Sequence, residues 1–120
     1  MVVDSSVWVE LLIRGPLREK CEKQMRGSTC FVPTICIFEV YKYFKSRVSE
    51  DMALEATGFL SSHEVVDLTR DIGLLGADLS IQHELAMADS LILAHAHHLG
   101  VDLLTLDNDY AGLPRVRLIR

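Results

Sequence analysis

Four acidic residues, Asp4, Glu39, Asp89 and Asp107, stand where this 120-residue chain could place a reactive centre, with Asp109 close beside the last. Asp4 directly follows the apolar start Met1-Val2-Val3. Asp107-Asn108-Asp109 follows the run Leu103-Leu104-Thr105-Leu106, and Asp89 opens an apolar helical stretch that Gly100 ends. In an open α/β sheet the ligand crevice lies outside the carboxyl ends of the strands, so acids placed just after short apolar strands are aimed at a site. Glu39 lies between Phe38 and Val40 early in a predicted helix. That is a costly setting for a charge, and a cation relieves it. The four acids are therefore read as one pocket for a hard divalent cation. Mg²⁺ is held by one or two carboxylates and keeps positions open for water and phosphate oxygens. Such an ion lowers the pKa of its bound water and steadies charge on the reacting oxygens, and a second ion about 3.5–4 Å away steadies the leaving group. The reaction implied is in-line hydrolysis of a phosphodiester. No covalent nucleophile is evident, because no serine has a histidine at an interpretable spacing.

Each acid alone has a plain explanation. An Asp after a strand caps a helix, Asp107 or Asp109 suits a turn, and Glu39 suits a helix surface. The joint pattern carries the inference. Of His95, His97 and His98, two point to different sides of one helix, and the three read as a solvated helix end rather than a transition-metal site. Lys42, Lys45 and Arg47 form one loose basic group, either a solvated face or an RNA contact, and Arg115, Arg117 and Arg120 form another. Tyr41, Tyr43, Phe44 and Tyr110 read as core or rim.

The elements that must position the acids alternate. Residues 1–4 read as a buried strand, and Ser5 and Ser6 as caps for the helix VWVELLIR, whose Trp8, Leu11 and Leu12 pack on the sheet. Gly15-Pro16 separates it from a helix over Leu17 to Arg26. Thr29 to Val32 is a second strand, after which Thr34 caps a helix to about Arg47 with an apolar stripe of Ile37, Val40, Tyr41, Phe44 and Val48. Ser49 caps a helix from about Glu50 to Leu60, and His63 to Leu68 is a third strand. Thr69 caps a helix through Ile72, Leu75 and Leu79 to His83, loosened by Gly73 and Gly76. Leu103 to Leu106 and an edge-like Val116 to Ile119 complete the strands. This alternation implies an α/β fold with a parallel sheet and right-handed crossovers.

The length allows one domain, 1–120. With 49% hydrophobic and 24% charged residues the composition is that of a folded soluble protein. No apolar run approaches the ~18 residues that cross a bilayer, and the N-terminus lacks signal-peptide character, so no membrane association is expected and the expected compartment is cytoplasmic. Cys21, Cys30 and Cys36 are odd in number and lack a C-x-x-C pair, so they read as reduced core residues. A net charge of −5 disfavours a nucleic-acid partner. Setting the four site acids aside leaves an excess of only one negative charge, and divalent cations would neutralise the cluster itself.

Three stretches, VVDSSVWVELL, VPTICIFEVYK and LAMADSLILAHAHHLGVDLLTLDNDYAGL, together resemble the PIN-domain ribonucleases, specifically the small VapC-type toxins of toxin–antitoxin pairs. The resemblance spans nearly the whole chain and keeps the order of acids. It implies a PIN-like three-layer fold, with a central parallel sheet of four to five strands flanked by helices, and Mg²⁺- or Mn²⁺-dependent endonucleolytic cutting of RNA. It puts catalysis and metal ligation on Asp4, Glu39, Asp89 and Asp107, with Asp109, Ser6 and Thr105 in supporting positions around them. It also implies a homodimer and a cognate antitoxin, whose contacts are expected on the first two helices at Trp8, Leu12, Leu17 and Met25. Two other readings compete: a housekeeping or non-catalytic PIN protein in RNA processing, and, more distantly, a receiver-like Mg²⁺-binding signalling domain. The second would need a lysine after a late strand, and no lysine follows Lys45.

Overall fold

Val2 and Val3 are fully buried and form β1 (Val2–Val3), the middle strand of a five-stranded sheet in the computed structural model, which describes residues 1–120. The others are β2 (Phe31–Pro33), β3 (Glu64–Val66), β4 (Leu103–Thr105) and β5 (Val116–Leu118), in the order β3-β2-β1-β4-β5. Every pairing is parallel, with Val2 opposite Phe31 on one side and Leu103 on the other. The chain walks outward from β1 to β3, then returns to place β4 against the other side of β1. The order reverses between β1 and β4, which is where a parallel sheet opens a crevice at its carboxyl edge.

Six helices flank the sheet: α1 (Ser5–Leu12), α2 (Arg18–Met25), α3 (Thr34–Arg47), α4 (Glu50–Ser61), α5 (Arg70–His83) and α6 (Met87–Leu99). None is long and apolar enough to cross a membrane. Ser49 and Thr69 cap α4 and α5 as their sequences predict, accepting from Met52 N and Ile72 N. Two other predicted caps do not form. Ser5 and Ser6 lie inside the first turn of α1 with Asp4 as its N-cap residue, and their hydroxyls turn to acids. Thr34 likewise lies inside α3, and its hydroxyl ties the helix start to Val66 O and Asp67 at the end of β3.

The buried row of α3 is Cys36, Val40 and Phe44, with Ile37 and Tyr41 half-buried beside it. Val48, predicted to extend the stripe, is 64% exposed because the helix has ended. Gly76 does not loosen α5. It is buried against α6, and a Cβ there would lie 2.7 Å from a Leu91 methyl, so the missing side chain lets the two helices close. Trp8 is fully buried, its indole N–H donating to Val3 O at 3.0 Å and its ring meeting Phe59 and His63. A partner therefore cannot contact Trp8, contrary to the sequence-based expectation. His95 is also buried, donating from Nδ1 to Leu91 O at 2.7 Å, so only His98 of the three histidines is a solvated helix end. All three cysteines are free and buried.

Candidate metal centre

Asp4, Glu39, Asp89 and Asp107 line one cleft of about 450 Å³, together with Ser5, Ser6, Val9 and Tyr43. Each acid arrives by a different local device. Asp4 leaves β1, anchored by its backbone N–H to Leu104 O at 3.0 Å, and its own carbonyl accepts from Val7 in the first turn of α1. Asp107 leaves β4, the strand beside it, and caps the single 3₁₀ turn Asn108–Tyr110 by accepting from Asp109 N at 2.9 Å. Glu39 projects from the second turn of α3. Asp89 lies in the first turn of α6, where a carboxylate also suits the helix dipole.

The cleft has two halves. In one, the carboxylates of Asp4 and Glu39 and the thiol of Cys36 lie within 4.8 Å of one another; in the other, the carboxylates of Asp89, Asp107 and Asp109 do so. The Asp4 half is dense with hydroxyl donors. Asp4 Oδ2 accepts from Ser6 at 2.7 Å and from Thr105 at 2.8 Å. Ser5 donates to Glu39 at 3.0 Å and stands 3.5 Å from Asp4 Oδ1. Ser6 and Thr105 are locked in turn, receiving the N–H groups of Leu106 and Asp107. Thr105 is thus a buried strut beneath Asp4, and both hydroxyls sit at the β1–β4 seam. The Asp89 half has one such donor, the Tyr110 hydroxyl, at 3.0 Å from Asp89 O and 3.3 Å from Oδ1. Asp109 is exposed.

Burial pushes the Asp4 carboxyl above the usual range; the Ser6 and Thr105 hydroxyls and the Ser5 N–H pull it back, and the Asp107 charge adds to the rise. Glu39 is raised by burial, with the Ser5 hydroxyl opposing and the charges of Asp4, Asp89 and Asp107 adding. Asp89 is pushed up to about 6 by burial and by the charges of Asp107 and Asp4, against the Tyr110 hydroxyl. Acids that oppose each other's ionisation in a shared, partly desolvated site are in the state that a cation reverses. The donor set, all oxygen at its open face, suits a hard dication.

All seven residues singled out in the sequence are therefore found at or against the cleft, with Thr105 buried under it and Asp109 at its edge. Sequence reasoning assigned Ser5 to a cap and Tyr110 and Tyr43 to core or rim. Adjacency to Asp4 was a usable signal for Ser5. Nothing local marked Tyr110, whose approach to Asp89 spans 21 residues.

The chain belongs to the PIN domain family: the family model matches residues 1–116. No curated protein matches it significantly. Among solved structures, a toxin–antitoxin complex from Klebsiella pneumoniae is similar with a TM-score of 0.79 at 24% identity, over 97% of this chain and 94% of that one. VapC20 from Mycobacterium tuberculosis, described as a sarcin-ricin loop cleaving toxin, gives 0.79 at 18% identity over 96% and 95%. DNA-bound VapBC from Salmonella typhimurium gives 0.78 at 14% identity over 98% and 95%. The family resemblance and the PIN-like fold it implies, a parallel sheet of four to five strands flanked by helices, are both borne out, with five strands observed.

Proposed function

We propose that the protein is a metal-dependent endoribonuclease, the toxin of a type II toxin–antitoxin pair, with Asp4, Glu39, Asp89 and Asp107 as its catalytic and metal-holding set. The observation that carries this reading is the convergence of four carboxylates from separated elements at the β1–β4 crevice, three of them raised above the ordinary carboxylate range. A bound Mg²⁺ or Mn²⁺ would supply an activated water and charge stabilisation at the scissile phosphate. The chain's own residues do the rest. Asp4, Glu39, Asp89 and Asp107 would hold the ion. Ser6 and Thr105 fix the orientation of Asp4, and Ser5 that of Glu39. Asp109 adds negative charge at the open edge beside Asp107.

The toxin part of the reading draws support from the described toxin–antitoxin relatives. It predicts an antitoxin segment in a cavity of about 560 Å³ beside α1 and α2, where Leu11, Leu12 and Met25 supply apolar floor and Arg14, Arg18 and Arg26 a basic rim. A homodimer belongs to the same reading. Leu74 and Ile81, one heptad apart on α5, and Met87 at the start of α6 are each more than 60% exposed, an apolar surface that self-association would cover.

The test is cleavage of total RNA by the purified chain with Mg²⁺, with Mn²⁺ and with chelator, beside Asp89→Asn. Cutting that survives chelation or the substitution would sink the assignment. Growth arrest on expression that a neighbouring small protein relieves separates a toxin from a housekeeping nuclease.

A further inference from the structure

α3 presents two rows of side chains at four-residue spacing: Glu39, Tyr43 and Arg47, and beside them Phe38, Lys42 and Ser46. Both rows line a groove of about 240 Å³, and Glu39 and Tyr43 line the acidic cleft as well, so the two depressions adjoin along these side chains. Eight residues of helix place Arg47 about 12 Å along the axis from Glu39. The groove is built from cations laid on rings. The Arg47 guanidinium stands 4.2 Å from the Tyr43 ring centre, and the Lys42 ammonium 5.8 Å from that of Phe38, which is itself 63% exposed.

Lys42 and Arg47 are exposed, and neither forms an ion pair. Lys45, on the same helix, is engaged by Glu50 at 3.7 Å and bonds the Tyr41 hydroxyl. On a chain of net charge −5, two unpaired cations beside a four-acid cleft form a local reversal of sign that leads to the cleft. An anionic strand is complementary to it. Aromatic faces interleaved with cations suit single strands, whose unstacked bases lie on rings or guanidinium planes, whereas a duplex keeps its base faces to itself.

We propose that this face of α3 is the substrate track: a single-stranded RNA segment next to the cut runs along it, stacking on Tyr43 and Phe38, with phosphates on Lys42 and Arg47. The proposal rests on the ribonuclease reading of the acids and adds where the strand lies and that it is unpaired. It makes Lys42 and Arg47 positioning residues that touch RNA away from the reacting phosphate.

The experiment measures binding apart from cutting. In the full-length Asp89→Asn chain, a fluorescent single-stranded oligouridylate and a duplex of equal length are titrated by anisotropy at several salt concentrations. Lys42→Glu with Arg47→Glu is expected to weaken single-strand binding about tenfold or more and to flatten the salt dependence by about 1.4 in logarithmic slope, two phosphate contacts' worth. Arg47→Lys, which keeps the charge and loses the plane, is expected to keep the slope and lose part of the affinity. Lys23→Glu on α2 is expected to change neither. Matching thermal melts show that the variants are folded. Unchanged affinity in the double variant, an equal loss with Lys23→Glu, equal binding of the duplex, or no binding of the single strand at all would each overturn the track. Binding through Lys42 and Arg47 by a chain that cuts no RNA with either metal would instead remove the nuclease reading and leave the track standing.

Discussion

The two halves of the acidic cleft handle like charge in opposite ways. Around Asp4 and Glu39 the fold supplies three hydroxyls, two of them pinned by backbone N–H groups of the β4 exit. Around Asp89 it supplies one tyrosine hydroxyl, and the carboxyl is left at about 6. The first half is organised by its own hydrogen bonds; the second is left with a repulsion that a proton, or a cation held as proposed, would ease. Pre-organisation by hydroxyl donors is thus concentrated on the buried side, and charge repulsion is left largely unrelieved on the open side.

The largest expected effect is on cleavage. On the proposed function, Asp4→Asn and Asp89→Asn should each lower the rate on the order of a thousandfold, since each would remove a charge that holds the ion stabilising the transition state; a single-turnover assay on a labelled RNA measures it. A residual rate near wild type for either one would break the symmetry of function between the halves.

Metal binding to the folded chain alone should raise its stability by about 2.7 kcal/mol at a hundred times the dissociation constant. Thermal melts with and without Mg²⁺ measure this, and Asp89→Asn should lose most of the gain. Next in size, Thr105→Val should cost about 2 kcal/mol without metal, because it strips a charge-assisted bond from a buried carboxylate. Denaturant unfolding gives the value. A neutral result would mean that the Asp4 side is not pre-organised by that strut.

The smallest effect has the opposite sign. Asp89→Asn should stabilise the metal-free chain at pH 7 by about 1 kcal/mol, the repulsion it removes being screened by solvent. The same group sets a pH dependence. Its folded pKa of about 6 lies above the ordinary aspartate value of 3.8, so the folded chain holds the proton more tightly. Its contribution to stability is full below about 4 and is lost as pH rises through about 6. Metal-free melting temperature should therefore fall across that window in wild type and fall less in Asp89→Asn. Equal slopes would show that the open half carries no such strain.

Much of the fold was written locally. Short apolar runs gave the strands within a residue or two, and the serine and threonine ahead of α4 and α5 named their caps. Burial did not follow from sequence alone. Trp8 looked available to a partner, yet Phe59, His63 and Val3 O, all remote in sequence or on another element, enclose it. Gly76 looked like a helix weakness and is instead the contact point of α5 with α6. Ser5 and Ser6 have the residue types of caps, but with the acids of two other elements within reach their hydroxyls donate to carboxylates.

By itself the sequence determined which residues are acidic, that two of them end short apolar strands, and that the strands are parallel, because these depend on residue type and nearby periodicity. The tertiary structure decided that the strand order reverses between β1 and β4, and hence that Asp4 and Asp107, far apart in sequence, share a wall. It also decided which acids receive hydroxyls and which are left exposed to one another's charge. Those outcomes depend on distances between chain segments that no local pattern encodes, and electrostatic energy depends on distance and on burial together.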